Sequence, residues 1–262
     1  MSAANVSDTS GAGGWGDQPT PGGLAPAARA SVRWSVERAR GGAGTLHARG
    51  VPAVPDLVRT VEVLEAETPA IVLGSTQRDD VVDRDECEAA GVEVARRRSG
   101  GGAVLVDPAE VLWVDVLVPH GDPLWVDDVN RSTAWLGRAW VSALREVGAI
   151  EDPVVHEGAI CLNRWGRLVC FAGLGPGEVT SGAGGPKVVG ISQRRTRDGA
   201  RFQCAVPFRW EPRRITSLLR FESATARDEA TRELSLPGMV RPVDPALRSR
   251  LLDAFLETLP TS

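Results

Sequence analysis

Between residues 60 and 118 the chain alternates short apolar runs with polar breaks, the pattern of buried strands joined by turns. Residues 60–65 and 70–74 read as strands on either side of Thr68-Pro69. Residues 83–90 fit a short helix closed by Gly91, and residues 92–96 a further strand. Residues 103–106 and 111–118 read as a hairpin around Asp107-Pro108. In its second arm Val114, Val116 and Val118 alternate with Asp115 and Leu117, as in a mainly buried strand. The clearest helix is predicted over 128–147, where Val129, Leu136, Trp140, Leu144 and Val147 form one apolar stripe. Asp127 or Asp128 can cap its start and Gly148 can end it. Further strands are predicted near 158–162, 167–172, 188–194 and 201–206. Helices are predicted at 31–40, 213–219 and 245–259, the last capped by Asp244. Strand runs interleaved with a few helices predict an α+β fold, a mixed sheet covered by helices.

Composition narrows the function. A chain of 262 residues with 42% hydrophobic content can bury a proper core. The formal net charge of −4 supplies no global positive field for nucleic acid. Four cysteines without CxxC spacing and three histidines argue against tetrahedral zinc and against a disulfide framework. Residues 1–30 are rich in Gly, Ala, Pro, Ser and Thr and carry neither the basic start nor the apolar core of a secretory signal. They read as a disordered tail before a catalytic domain at 31–262. No apolar run is long enough to cross a bilayer, and a cytoplasmic protein without membrane partners is expected.

Two segments carry candidate chemistry. In Arg96-Arg97-Arg98-Ser99-Gly100-Gly101-Gly102-Ala103-Val104, three guanidinium groups and a hydroxyl run into three glycines and then an apolar strand. Guanidinium forks suit carboxylate and phosphate oxygens, and glycines let backbone N–H groups come close to a ligand. Downstream, Lys187 opens the apolar run Lys187-Val188-Val189-Gly190-Ile191-Ser192-Gln193-Arg194. The segment from Gly182 to Lys187 lacks the spacing of a phosphate loop, and Ser99 is not in a GxSxG elbow. His47, His120 and His156 have no partner spacing and read as surface or loop histidines.

In this order the two segments resemble the lipoate–protein ligase A family and its relatives in the biotin/lipoyl ligase superfamily, over roughly residues 70–219. The resemblance implies the same α+β catalytic domain. It also implies that lipoate or octanoate is activated with ATP and Mg2+ to an acyl-adenylate, then passed to a lysine of a lipoyl carrier domain. Those carriers would be lipoyl domains of 2-oxoacid dehydrogenases or the glycine cleavage H protein. By the same resemblance Arg97, Ser99, Gly100, Gly101, Gly102 and Ala103 contact the substrate, and Lys187 polarises the acyl carbonyl and binds the α-phosphate. The acyl tunnel would be lined near Val72, Val104 and Val189.

A second branch of the superfamily, the octanoyltransferases, takes octanoyl groups from acyl carrier protein, carrying them as a thioester on a cysteine that precedes the lysine. Cys170-Phe171 matches that arrangement, although the triple glycine, with Gly102 in place of an arginine, favours the ligase. The family's Asn-Asp pair before the lysine has no clear counterpart here, and Val106 stands where a histidine is usual. A non-catalytic acyl- or adenylate-binding module is therefore a further alternative. The glycine-rich stretch 173–185 reads as a mobile lid. The family's accessory domain is expected to be missing or reduced to residues 221–262.

Overall fold

The computed structural model describes residues 34–53 and 58–261, so the tail expected at 1–30 lies outside the described residues. The strands are β1 (Ser35–Gly41), β2 (Thr60–Ala66), β3 (Ala70–Leu73), β4 (Glu93–Arg96), β5 (Val104–Val106) and β6 (Val111–Pro119). They continue with β7 (Pro153–Val155), β8 (Cys161–Leu162), β9 (Gly173–Leu174), β10 (Val179–Ser181), β11 (Lys187–Arg195) and β12 (Gly199–Pro207). The helices are α1 (Ala43–Ala48), α2 (Arg84–Ala89), α3 (Ala134–Glu146), α4 (Pro212–Ser217), α5 (Ala224–Leu234) and α6 (Arg248–Glu257).

A seven-stranded sheet runs β1-β2-β6-β12-β11-β10-β7, and a three-stranded sheet runs β4-β3-β5. The pairs β1–β2 and β3–β4 are parallel and the other pairs antiparallel, so the fold is the expected α+β with a mixed sheet. Period-two alternation in β6 sends successive side chains to opposite faces. Val114, Val116 and Val118 meet Leu136, Trp140 and Leu144 of α3 and Leu251 and Phe255 of α6, with Trp140 stacked on Phe255 at 3.8 Å between centroids. Trp113 faces the other way, into a second core made with Val72 of β3, Val104 and Val106 of β5, and Phe171. The functional residues gather on this second face.

Five sequence expectations need correction. Residues 35–41 form an edge strand rather than a helix, because seven backbone pairs with β2 replace helical bonds and charged side chains on the edge stay in water. β5 and β6 are not a hairpin. β5 pairs with β3 and β6 with β2 and β12, and Asp107 Oδ1 accepts the Ala109 N–H (2.9 Å) at the turn between the two sheets. Helix α3 begins at Ala134, since Asp128 Oδ1 accepts the Asn130 N–H (2.9 Å) and holds the preceding segment in turns, leaving Val129 exposed. Residues 170–172 form one 3-10 turn instead of a strand, and the stretch read as a lid contributes β10 to the large sheet. Helices α1 and α5 went unread: glycines mask the start of α1, and α5 is largely polar.

Candidate active site

The bend between β4 and β5 is folded against the Cys170 turn. Ala103 N donates to Leu168 O (2.8 Å), and Cys170 N donates to Ala103 O (3.0 Å). A Cβ on Gly102 would lie 2.7 Å from both Cys170 N and the Val169 carbonyl carbon, so only glycine permits this approach. Gly101 turns the chain at φ +100, outside the range of ordinary side chains. The bend therefore presses on the cysteine's own backbone.

Arg97 folds back over the bend. Its Nε and Nη2 donate to Gly100 O (3.2 and 2.8 Å) and Nη2 also to Gly102 O (2.9 Å). Nη2 lies 3.7 Å from Cys170 Sγ. Arg97 is buried, and unlike buried Arg59, Lys187 and Arg201 it pairs with no carboxylate among the described residues. A buried charge without a counter-ion is expensive to keep.

Arg97 and Cys170 line one cavity of about 440 Å3, its open mouth included. Its walls include Val72, Val104, Val106, Trp113 and Phe171, with Gly190 and Ile191 of β11. Of the expected tunnel residues Val72 and Val104 line it, whereas Val189 points into the opposite core with α3. Of the four free cysteines, burial pushes the Cys87 and Cys204 thiols up, and Cys170 is the one beside a guanidinium.

Ser99 is buried behind this cavity. Its hydroxyl donates to Gln203 Oε1 (2.7 Å) and contacts Ser192 Oγ (3.0 Å). Gln203 Nε2 reaches Asp115 Oδ2 (3.1 Å) and His47 Nδ1 (3.1 Å). An amide nitrogen only donates, so His47 Nδ1 accepts and its proton sits on Nε2. His47 is thus not a surface histidine: it is buried, stacked on Trp113 at 4.3 Å, and pushed down to about 3 by burial and then by the charges of Arg97 and Arg201. Asp115 receives Trp113 Nε1 (2.7 Å) and Arg201 Nε (2.6 Å), and Arg201 also pairs with Glu62. Burial raises Asp115, with Arg201 opposing.

Lys187 sits on the other side of Phe171. Its Nζ meets Glu178 Oε1 (2.8 Å), Gly173 O (3.0 Å) and Cys170 O (3.3 Å), and lies 4.9 Å from the Phe171 ring centroid. Those three partners use all three donors of an ammonium. Lys187 borders a separate cavity of about 610 Å3, open mouth included, which shares Phe171 with the first. The structure thus brings Arg97, Gly101, Gly102, Ala103, Cys170 and Lys187 together at one turn. Ser99 and Lys187 are committed to protein partners, and Gly100 is exposed beside Arg97. Sequence reasoning missed Glu178, Gln203 and buried His47. Glu178 is a single carboxylate in a glycine-rich stretch, with no spacing to mark it.

A model of the lipoyl protein ligase A/B catalytic domain matches residues 52–255. The chain belongs to this family. The octanoyltransferase LipM of Clostridioides difficile (strain 630) is 28% identical over 138 residues, which is 52% of this chain and 49% of that protein. The chain thus covers about half the length of this curated relative. Among solved structures, one from an archaeal lipoylation system of Thermoplasma acidophilum, a bipartite lipoate protein ligase and its E2 lipoyl domain, aligns with a TM-score of 0.65 at 18% identity. That alignment covers 87% of this chain and 84% of the other. A lipoate-protein ligase A bound with ATP aligns at 0.58 and 16% identity, over 87% and 85% of the two chains. At such identities the structural likeness speaks for the fold. No described helix is long and apolar enough to cross a membrane.

Proposed function

We propose that this family member transfers a medium-chain acyl group, octanoyl in the first instance, to a lysine of a lipoyl domain through a thioester on Cys170. The observation that carries the reading is the pairing, in one apolar cavity, of the Cys170 thiol with a buried guanidinium that has no carboxylate of its own. The apolar wall takes the hydrocarbon, and Arg97 faces the negative charge of the attacking sulfur and then of the tetrahedral oxygen.

In the first half-reaction the Cys170 thiolate attacks the carbonyl carbon of an acyl thioester donor. The new C–S bond forms as the donor's C–S bond breaks, and the departing thiolate takes up a proton. In the second, the neutral ε-amine of the acceptor lysine attacks the Cys170 thioester. An amide forms, the amine gives up a proton, and the Cys170 thiol is regenerated. The similarity to the octanoyltransferase LipM supports the octanoyl group, and the likeness to a ligase described along with its E2 lipoyl domain supports the acceptor.

A second reading rests on the same guanidinium, which also suits a phosphate oxygen. In that case ATP would activate free lipoate or octanoate, as the family resemblance implies. Among the described residues no cluster of three or more His, Cys, Asp or Glu side chains could hold a metal, so Mg2+ accompanying ATP would be held chiefly by its phosphates.

Intact-mass analysis separates the two. Wild-type protein incubated with octanoyl carrier protein and a lipoyl domain is expected to show an octanoyl adduct on the enzyme, lost in Cys170→Ala, and an octanoylated lipoyl domain without ATP. Product that needs ATP, releases pyrophosphate and survives Cys170→Ala would replace the thioester route with the ligase.

A further inference from the structure

We infer that Trp113 and Val106 form the end wall of the acyl chamber, and that this wall sets the length of chain the protein accepts, a straight saturated group close to octanoyl. The wall has this meaning on the acyl-transfer reading above, which puts the hydrocarbon in the cavity beside Cys170. A second cavity of about 1000 Å3, open mouth included, adjoins the same wall. It is lined by Leu64, Val111 and Leu252 and bordered by the charged groups of Arg38, Glu65 and Arg248. Among the described residues only Val106 and Trp113 line both cavities. With those two side chains cut back, the acyl chamber would continue into the larger space.

The wall is held as well as shared. Trp113 stands in β6 between Leu64 of β2 and Ala205 of β12, so its backbone is paired on both sides. Its indole N–H donates to Asp115 Oδ1 (2.7 Å), and its ring stacks on His47 at 4.3 Å between centroids. Asp115 is held in turn by Arg201 Nε (2.6 Å) and Gln203 Nε2 (3.1 Å). The buried polar groups beside this apolar chamber therefore fix one large ring at one angle. A ring so held does not swing aside, and a close-packed wall turns away added methylenes. Val106 completes the wall without a polar atom, where the family usually has a histidine. The chain end thus meets hydrocarbon and indole, which favours an apolar end over a polar one.

The test reads chain length rather than rate. Wild type, Trp113→Ala and Val106→Ala each receive equal amounts of octanoyl and dodecanoyl carrier protein with a lipoyl domain. A parallel set receives the two free acids with ATP. Intact masses of the lipoyl domain give the octanoyl-to-dodecanoyl product ratio, which a general loss of activity leaves unmoved. Wild type is expected to favour octanoyl about 100-fold. Trp113→Ala should bring the ratio to within about threefold of unity. Val106→Ala, which removes no hydrogen bond, should lower it about fivefold. A wild-type ratio near one, or an unchanged ratio in folded Trp113→Ala, overturns the wall. If Trp113→Ala does not fold, Val106→Ala decides, and an unchanged ratio there overturns it. If neither set yields product, calorimetric titration of all three proteins with octanoate and dodecanoate supplies the ratio from the two affinities, read in the same way. The expected shift seen only with free acids and ATP, with no adduct on Cys170, keeps the wall and removes the thioester route.

Discussion

Arg97 and Arg201 are the same side chain, both buried and both close enough to His47 for their charges to push it down, yet they live in opposite circumstances. Arg201 is enclosed by Asp115 and Glu62, and Glu62 is itself shared with Arg49. Arg97 has carbonyl oxygens and a thiol. A charge matched on all sides is part of the scaffold. A charge matched by dipoles alone keeps most of its field for whatever enters the cavity. The difference separates structure from chemistry.

Exchanging each arginine for methionine should give opposite results. Arg201→Met leaves buried Asp115 without a counter-ion and Glu62 with Arg49 alone, and urea unfolding is expected to show a loss of about 3–5 kcal/mol. Arg97→Met removes an uncompensated charge, so stability should hold or rise while acyl loading of Cys170 falls on the order of 10²–10³-fold. If both variants lose stability equally and Arg97→Met loads normally, the contrast is broken.

A smaller effect comes from the bend. Gly102→Ala places a methyl group against the backbone of Val169 and Cys170, and urea midpoints should record a loss of about 1–3 kcal/mol. Wild-type stability in that variant would mean the bend and the cysteine turn are not in fixed contact.

The smallest effect is set by pH. His47 is held at about 3 in the folded protein, below the 6.5 of a free imidazole. Between those values the unfolded chain binds the extra proton, so stability falls as pH drops from 6.5 towards 3. His47→Asn keeps an acceptor for Gln203 but cannot bind that proton. Its stability between pH 6.5 and 4 should fall less steeply, by about one proton's worth of slope. Parallel slopes would show that His47 is free to titrate.

The sequence made parts of this legible and concealed others for physical reasons. Period-two alternation marked β6 because that strand has two different faces, and the glycine triplet marked the bend because only a close approach demands it. Lys187 and Cys170 were readable by family resemblance, and the structure joins them through a backbone carbonyl. Spacing could not show that Lys187 spends every donor on the protein, nor that Glu178 is its partner. That pairing depends on how β10 registers against β11. His47 was misread because its burial comes from Trp113 and Gln203, far away along the chain.

Gly102 leaves no gap between the bend and the backbone of Cys170. Bend and turn consequently behave as one solid part. On the thioester proposal, a molecule that shifts the bend at Arg97 would carry the Cys170 turn with it.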